Sequence, residues 1–92
     1  MRKMHLKAHA PNEGARLLAR WIARQAYGAV NLAAVALRLD PVILERLLEG
    51  DLIPGDELGR ELWNRAGIDR MAFQRRPLCG WFEAPSIGKL AA

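Results

Sequence analysis

The chain contains a single cysteine, Cys79, so no internal disulfide can form, and a reduced, cytoplasmic setting is the expectation. Cys79 itself reads as a small apolar filler. Ser86 is the only serine and has neither a partnering histidine nor a glycine elbow, which argues against a serine nucleophile. No phosphate-cradling glycine loop is present. Aromatic residues make up 7% of the chain and β-branched residues are scarce, which argues against strands. The longest apolar run, Leu32 to Leu37, is far too short to span a bilayer. The charged stretch MRKMHLKAHAPNEG leads into no apolar core, so neither a secretory signal nor a membrane partner is expected.

Leucine and alanine dominate what is present. Half of the 92 residues are hydrophobic, which favours an all-α fold in one small domain. The carboxylates fall on helix faces that solvent can satisfy, so they define no acid–base pair. His5 and His9 stand four apart, a spacing that can hold a metal on a helix, but no cysteine or carboxylate ligand accompanies them. The expectation is a non-enzyme with no cofactor and no metal.

The net charge of +4 is unevenly spread. Residues 1 to 27 set Arg2, Lys3, Lys7, Arg16, Arg20 and Arg24 against Glu13, while residues 28 to 62 set seven acids against Arg38, Arg46 and Arg60. After residue 62 the balance turns basic again. Basic ends around an acidic middle suit a polyanionic partner, and they equally suit plain solubility.

Punctuation along the chain places five helices. Asn12 is a cap for a first amphipathic helix in which Leu17, Leu18, Trp21 and Ile22 turn inward and Arg16, Arg20 and Arg24 form a parallel stripe. That stripe reads either as a solvated face or as a phosphate contact. Residues 29 to 38 are too apolar for a surface helix, so burial is predicted for them. Asp40-Pro41 then opens a new helix, because Asp accepts from orphan amides and Pro lacks only an N–H that would be unpaired there. Leu44, Leu47 and Leu48 face inward, and Gly50 closes the helix. Asp56 to Ala66 forms the fourth helix, with Leu58, Leu62, Trp63 and Ala66 inward and Gly67 as its stop. A short fifth helix spans Ile68 to Gln74, capped by Asp69, with Met71 or Phe73 inward. The predicted architecture is a compact bundle of about five helices, with a flexible basic arm over 1–11, a folded domain over 12–76 and a coiled extension over 77–92.

The order helix, tight turn, helix, with Ala34 small at the crossing and Ala33, Leu37, Leu39, Leu44 and Leu47 apolar around it, is the helix-turn-helix plan. Ala33-Ala34, Leu37-Arg38, Asp40, Leu44, Glu49-Gly50, Pro54 and Gly67 together resemble the phage-repressor and Cro-type (lambda-repressor-like) helix-turn-helix family. With the preceding helix, the resemblance covers residues 14 to 68. It implies a transcriptional regulator, usually a homodimer, that binds operator-like double-stranded DNA. Carried over by position, Pro41, Val42, Glu45, Arg46 and Glu49 would read base edges. Arg2, Lys3, Lys7, Arg16, Arg20, Asn31 and Arg38 would approach the backbone, with Val30 beside Asn31.

Two departures stand out. Arg38 occupies the family's turn glycine, so either the turn is reshaped or a non-glycine accepts about 1 kcal/mol of left-handed strain. Ala29-Val30 replaces the usual Gln or Thr that donates to phosphate. The reading face is also poor in donors. Arg46 reads either as a guanine contact or as a residue solvated or paired with Glu45 or Glu49. Phosphate affinity then falls to the arm, to Arg16 and Arg20, or to the cluster between Arg65 and Arg76. A competing expectation is a protein-interaction module on the same scaffold, such as an antitoxin, an antirepressor or a small regulator. It would dock a partner through Val42 and Ile43 or through Trp81 and Phe82.

Overall fold

The computed structural model describes residues 6–24 and 30–82, the side chains of Val30 and Asn31 excepted. All described secondary structure is helical: α1 (Glu13–Arg24), α2 (Val30–Leu37), α3 (Pro41–Glu49), α4 (Asp56–Ala66) and a 3-10 helix (Arg70–Gln74). The count of five thus resolves into four α-helices and one tighter turn of 3-10 type, and no described residue is in a strand. None of these helices is long and apolar enough to cross a membrane.

The helix ends follow the local chemistry of the sequence. The Ala15 amide donates to Asn12 Oδ1 at 2.7 Å, the Val42 amide to Asp40 Oδ1 at 2.8 Å and the Met71 amide to Asp69 Oδ1 at 2.9 Å. Each bond satisfies an amide that the first turn leaves without a backbone partner. Gly50 closes α3 at φ 82°, with its own amide donating to Leu47 O and the Asp51 amide to Arg46 O. Gly67 closes α4 at φ 69°.

α1 packs on α3 and on the 3-10 helix, α2 packs on α3 and α4, and α4 meets the 3-10 helix. Leu18, Ile22, Leu37, Leu44, Leu47, Leu48 and Leu62 fill the centre. Close approach depends on glycine at α1, where a Cβ on Gly14 would stand 2.3 Å from Phe73 Cγ. Gly59 similarly admits the aliphatic part of Arg70 against α4.

Two expectations about burial fail. α2 is not enclosed: Ala33, Ala34 and Leu37 point inward, but Leu32 is exposed and Val35 is 76% exposed. An eight-residue helix with neighbours on one side cannot bury every apolar position. Trp63 on α4 is 60% exposed, because Gly59 and Leu62 occupy the inner face. Of the two residues offered as the inward one on the fifth helix, Phe73 is buried and Met71 lies outward.

The segment predicted as a flexible arm joins the core from Leu6 onward, with Leu6 packed against it and Ala10 buried. Its counterpart is Trp81, whose indole Nε1 donates to Lys7 O at 2.7 Å and whose ring is buried. Residues 1–5, where the rest of the arm falls, and most of the extension, 83–92, lie outside the described residues, as does the predicted end of the first helix at Tyr27-Gly28.

Candidate nucleic-acid interface

The junction of α2 and α3 is built from three residues. Leu37 ends α2, Arg38 takes φ 57°, and Asp40 caps α3 from an extended backbone. The Arg38 amide donates to Val35 O and the Leu39 amide to Ala34 O, at 3.1 and 2.8 Å. This is the paired closure usually completed by glycine. Of the two alternatives for Arg38, the strained one is realised. It is the only non-glycine at positive φ among the described residues.

α3 presents two different sides. Leu44, Leu47 and Leu48 are buried, while Val42, Arg46 and Glu49 are exposed on the side that no described element covers. Pro41, Ile43 and Glu45 sit half-buried between them. The five expected base readers therefore share one helix, but they divide into three outward residues and two flanking ones. Arg38 is exposed at the N-terminal end, on the rim of a shallow groove floored by Leu39, Ile43 and Leu58 and edged by Glu57 and Glu61. Glu61 is paired there with Arg65, whose Nε donates at 2.6 Å.

The expected backbone contacts separate widely. Arg2 and Lys3 lie outside the described residues, as does the side chain of Asn31. Lys7 is exposed, and its carbonyl is engaged by Trp81. Arg16 is a correction: it is 3% exposed, so its guanidinium does not meet a phosphate. Arg16 Nε donates to Glu13 Oε1 at 2.7 Å and Nη2 pairs with Glu13 Oε2. Nη1 is buried with no hydrogen-bond partner among the described residues. Arg20 is half-buried on the same side, where its charge reaches Glu13, and Arg24 is exposed.

Glu13 is the residue that sequence reasoning undervalued. Burial pushes its carboxyl up, but the Arg16 hydrogen bond, the Leu78 amide and the charges of Arg16 and Arg20 outweigh that and hold it below the usual carboxylate range. The hydrogen bond that Arg16 donates to Glu13 outweighs burial and raises the guanidinium further. Glu13 also bonds the chain after the 3-10 helix: the Leu78 amide donates to Oε1 at 2.9 Å, and the Glu13 amide donates to Arg75 O at 2.9 Å. The available signal was the Glu13/Arg16 spacing of three, which puts both side chains on one helix face.

Of the residues expected to dock a protein partner, Val42 and Phe82 are exposed and Ile43 is half-buried. Trp81 is corrected to a packing residue, because its ring and its N–H are both used internally. His9 is exposed, His5 lies outside the described residues, and no cluster of three potential metal ligands occurs among the described residues. Compared with known proteins, the chain matches no family model, no curated protein and no solved structure.

Proposed function

We propose that the chain is a sequence-specific DNA-binding regulator in which α2, the Arg38 turn and α3 form a helix-turn-helix, with α3 as the recognition helix of a homodimer. The observation that carries the reading is the α2–α3 junction. A tightly closed turn and a capped start hold α3 with three leucines inward and Val42, Arg46 and Glu49 outward and uncovered. In this reading Arg46 donates to a guanine edge, Val42 meets a thymine methyl and Glu49 or Glu45 accepts from cytosine.

Selection of duplexes from a random pool at low salt tests the proposal. A single enriched motif is expected, and Arg46→Ala relaxes preference at one base pair by about 1 to 3 kcal/mol. If no motif emerges, the reading is wrong.

A second reading, a protein-interaction module on the same scaffold, draws on the exposed apolar side chains Leu32, Val35 and Val42. It expects a stoichiometric protein complex with no enrichment of DNA.

A further inference from the structure

The proposed recognition helix carries one arginine and two glutamates, and burial removes Arg16 from the surface. A protein that holds DNA needs cations aimed at phosphates, because phosphate contacts set register and supply most of the salt-dependent affinity. The acidic middle of the chain supplies Arg38 at the start of α3 and Asp51 beyond its far end.

A cleft of about 310 Å³ lies where the C-terminal end of α3 meets the chain that follows the 3-10 helix. Gly50 and Ile53 line one side, and Gln74, Arg75 and Arg76 line the other. Its lining includes no carboxylate. Arg75 and Arg76 are both exposed. Their backbone is nevertheless fixed. The Arg75 amide donates to Ala72 O, Arg75 O accepts from the Glu13 amide, and the Leu78 amide donates to the Glu13 carboxylate. Pro11, which also lines the cleft, stands so close to Gly50 that a Cβ there would lie 2.5 Å from Pro11 Cβ. Two flexible guanidinium groups thus rise from an anchored strap beside the far end of α3.

Length makes this placement meaningful. Nine helical residues rise about 13 Å, close to the width of about 12 Å of a major groove. Cations just beyond each end of α3 therefore fall near opposite phosphate walls when α3 enters the groove. Arg38 occupies one end. On the reading of α3 as a recognition helix, we infer that Arg75 and Arg76 are the phosphate clamp at the other end, held in place by the buried Glu13.

The test measures binding of the full chain against salt concentration, on a duplex enriched from a random pool and on a scrambled duplex, for the wild type and for Arg75→Ala/Arg76→Ala. The double variant is expected to bind both duplexes more weakly, to keep its sequence preference, and to show a log–log salt slope shallower by about two. Arg75→Lys/Arg76→Lys, which keeps both charges and the backbone, should retain the wild-type slope. Folding of each variant is checked by helical circular dichroism. An unchanged slope in the alanine variant overturns the clamp and leaves DNA recognition by α3 standing. Lost sequence preference at an unchanged slope also overturns it, since that signature belongs to base readout. If the wild type binds neither duplex at low salt, DNA recognition fails and the clamp fails with it.

Discussion

Glu13 and Arg16 show how one ion pair can reassign a charge. Arg16 falls in register with Arg20 and Arg24, and spacing alone makes it part of a solvent stripe. Its partner Glu13 is held by Arg75 and Leu78, more than sixty residues further along the chain, and periodicity carries no information about them. Removing one partner of a buried pair leaves the other charge uncompensated, so Glu13→Gln should cost about 3 kcal/mol at neutral pH in urea denaturation. The sign of the pH dependence follows from the depressed carboxyl. The unfolded chain binds this proton around the ordinary value of 4.5, whereas the folded chain resists it until a lower pH. The contribution is therefore complete above that ordinary value and fades as pH falls through the folded value. Wild type and Glu13→Gln should converge in stability in acid, and a gap that stays constant down that branch would show that Glu13 does not titrate as described.

The elements themselves were largely legible, because their ends are local chemistry. Asp40, Gly50, Gly67 and Asp69 each act on amides or carbonyls within a few residues, and α3 and α4 fall within their predicted bounds. Which face of a helix stays open was less legible: Trp63 and Val35 look like core residues until the short reach of the neighbouring helices is known. Nothing in the sequence separated a 3-10 helix from an α-turn at Arg70–Gln74. Arg38 lies between these cases, since its position identified the turn but not its backbone. Arg38→Gly should raise stability by about 1 kcal/mol by relieving left-handed strain, read as a higher urea midpoint with an unchanged slope. Under the DNA proposal the same substitution weakens phosphate binding, so stability and affinity move in opposite directions. A lower midpoint would mean that packing of the arginine stem over Leu39 and Leu58 outweighs the strain.

Across the whole molecule, the two ends of the described chain are stitched together by side chains rather than by helices. Trp81 bonds Lys7 O, and Glu13 bonds the Leu78 amide. Trp81→Phe removes the N–H together with the fused five-membered ring, so the lost hydrogen bond and the cavity left behind should together cost about 2 kcal/mol. Amide exchange over residues 6–10 should quicken more than exchange in α3. Equal acceleration throughout would show that the stitch is part of global stability rather than a local fastening.

These two bonds span 65 and 74 residues, while the caps of α3 and the 3-10 helix each close within two. Contacts so distant in sequence form late, because the intervening chain must already be ordered before closing the ring becomes favourable. The short capped helices can assemble first around their leucines, with Gly14 receiving Phe73 as α1 docks. Trp81 then enters its site last, whereas Trp63 remains mostly exposed in the folded chain. In a stopped-flow experiment on a Trp21→Phe background, indole fluorescence would follow the closing of the chain on itself, and helical dichroism would run ahead of it.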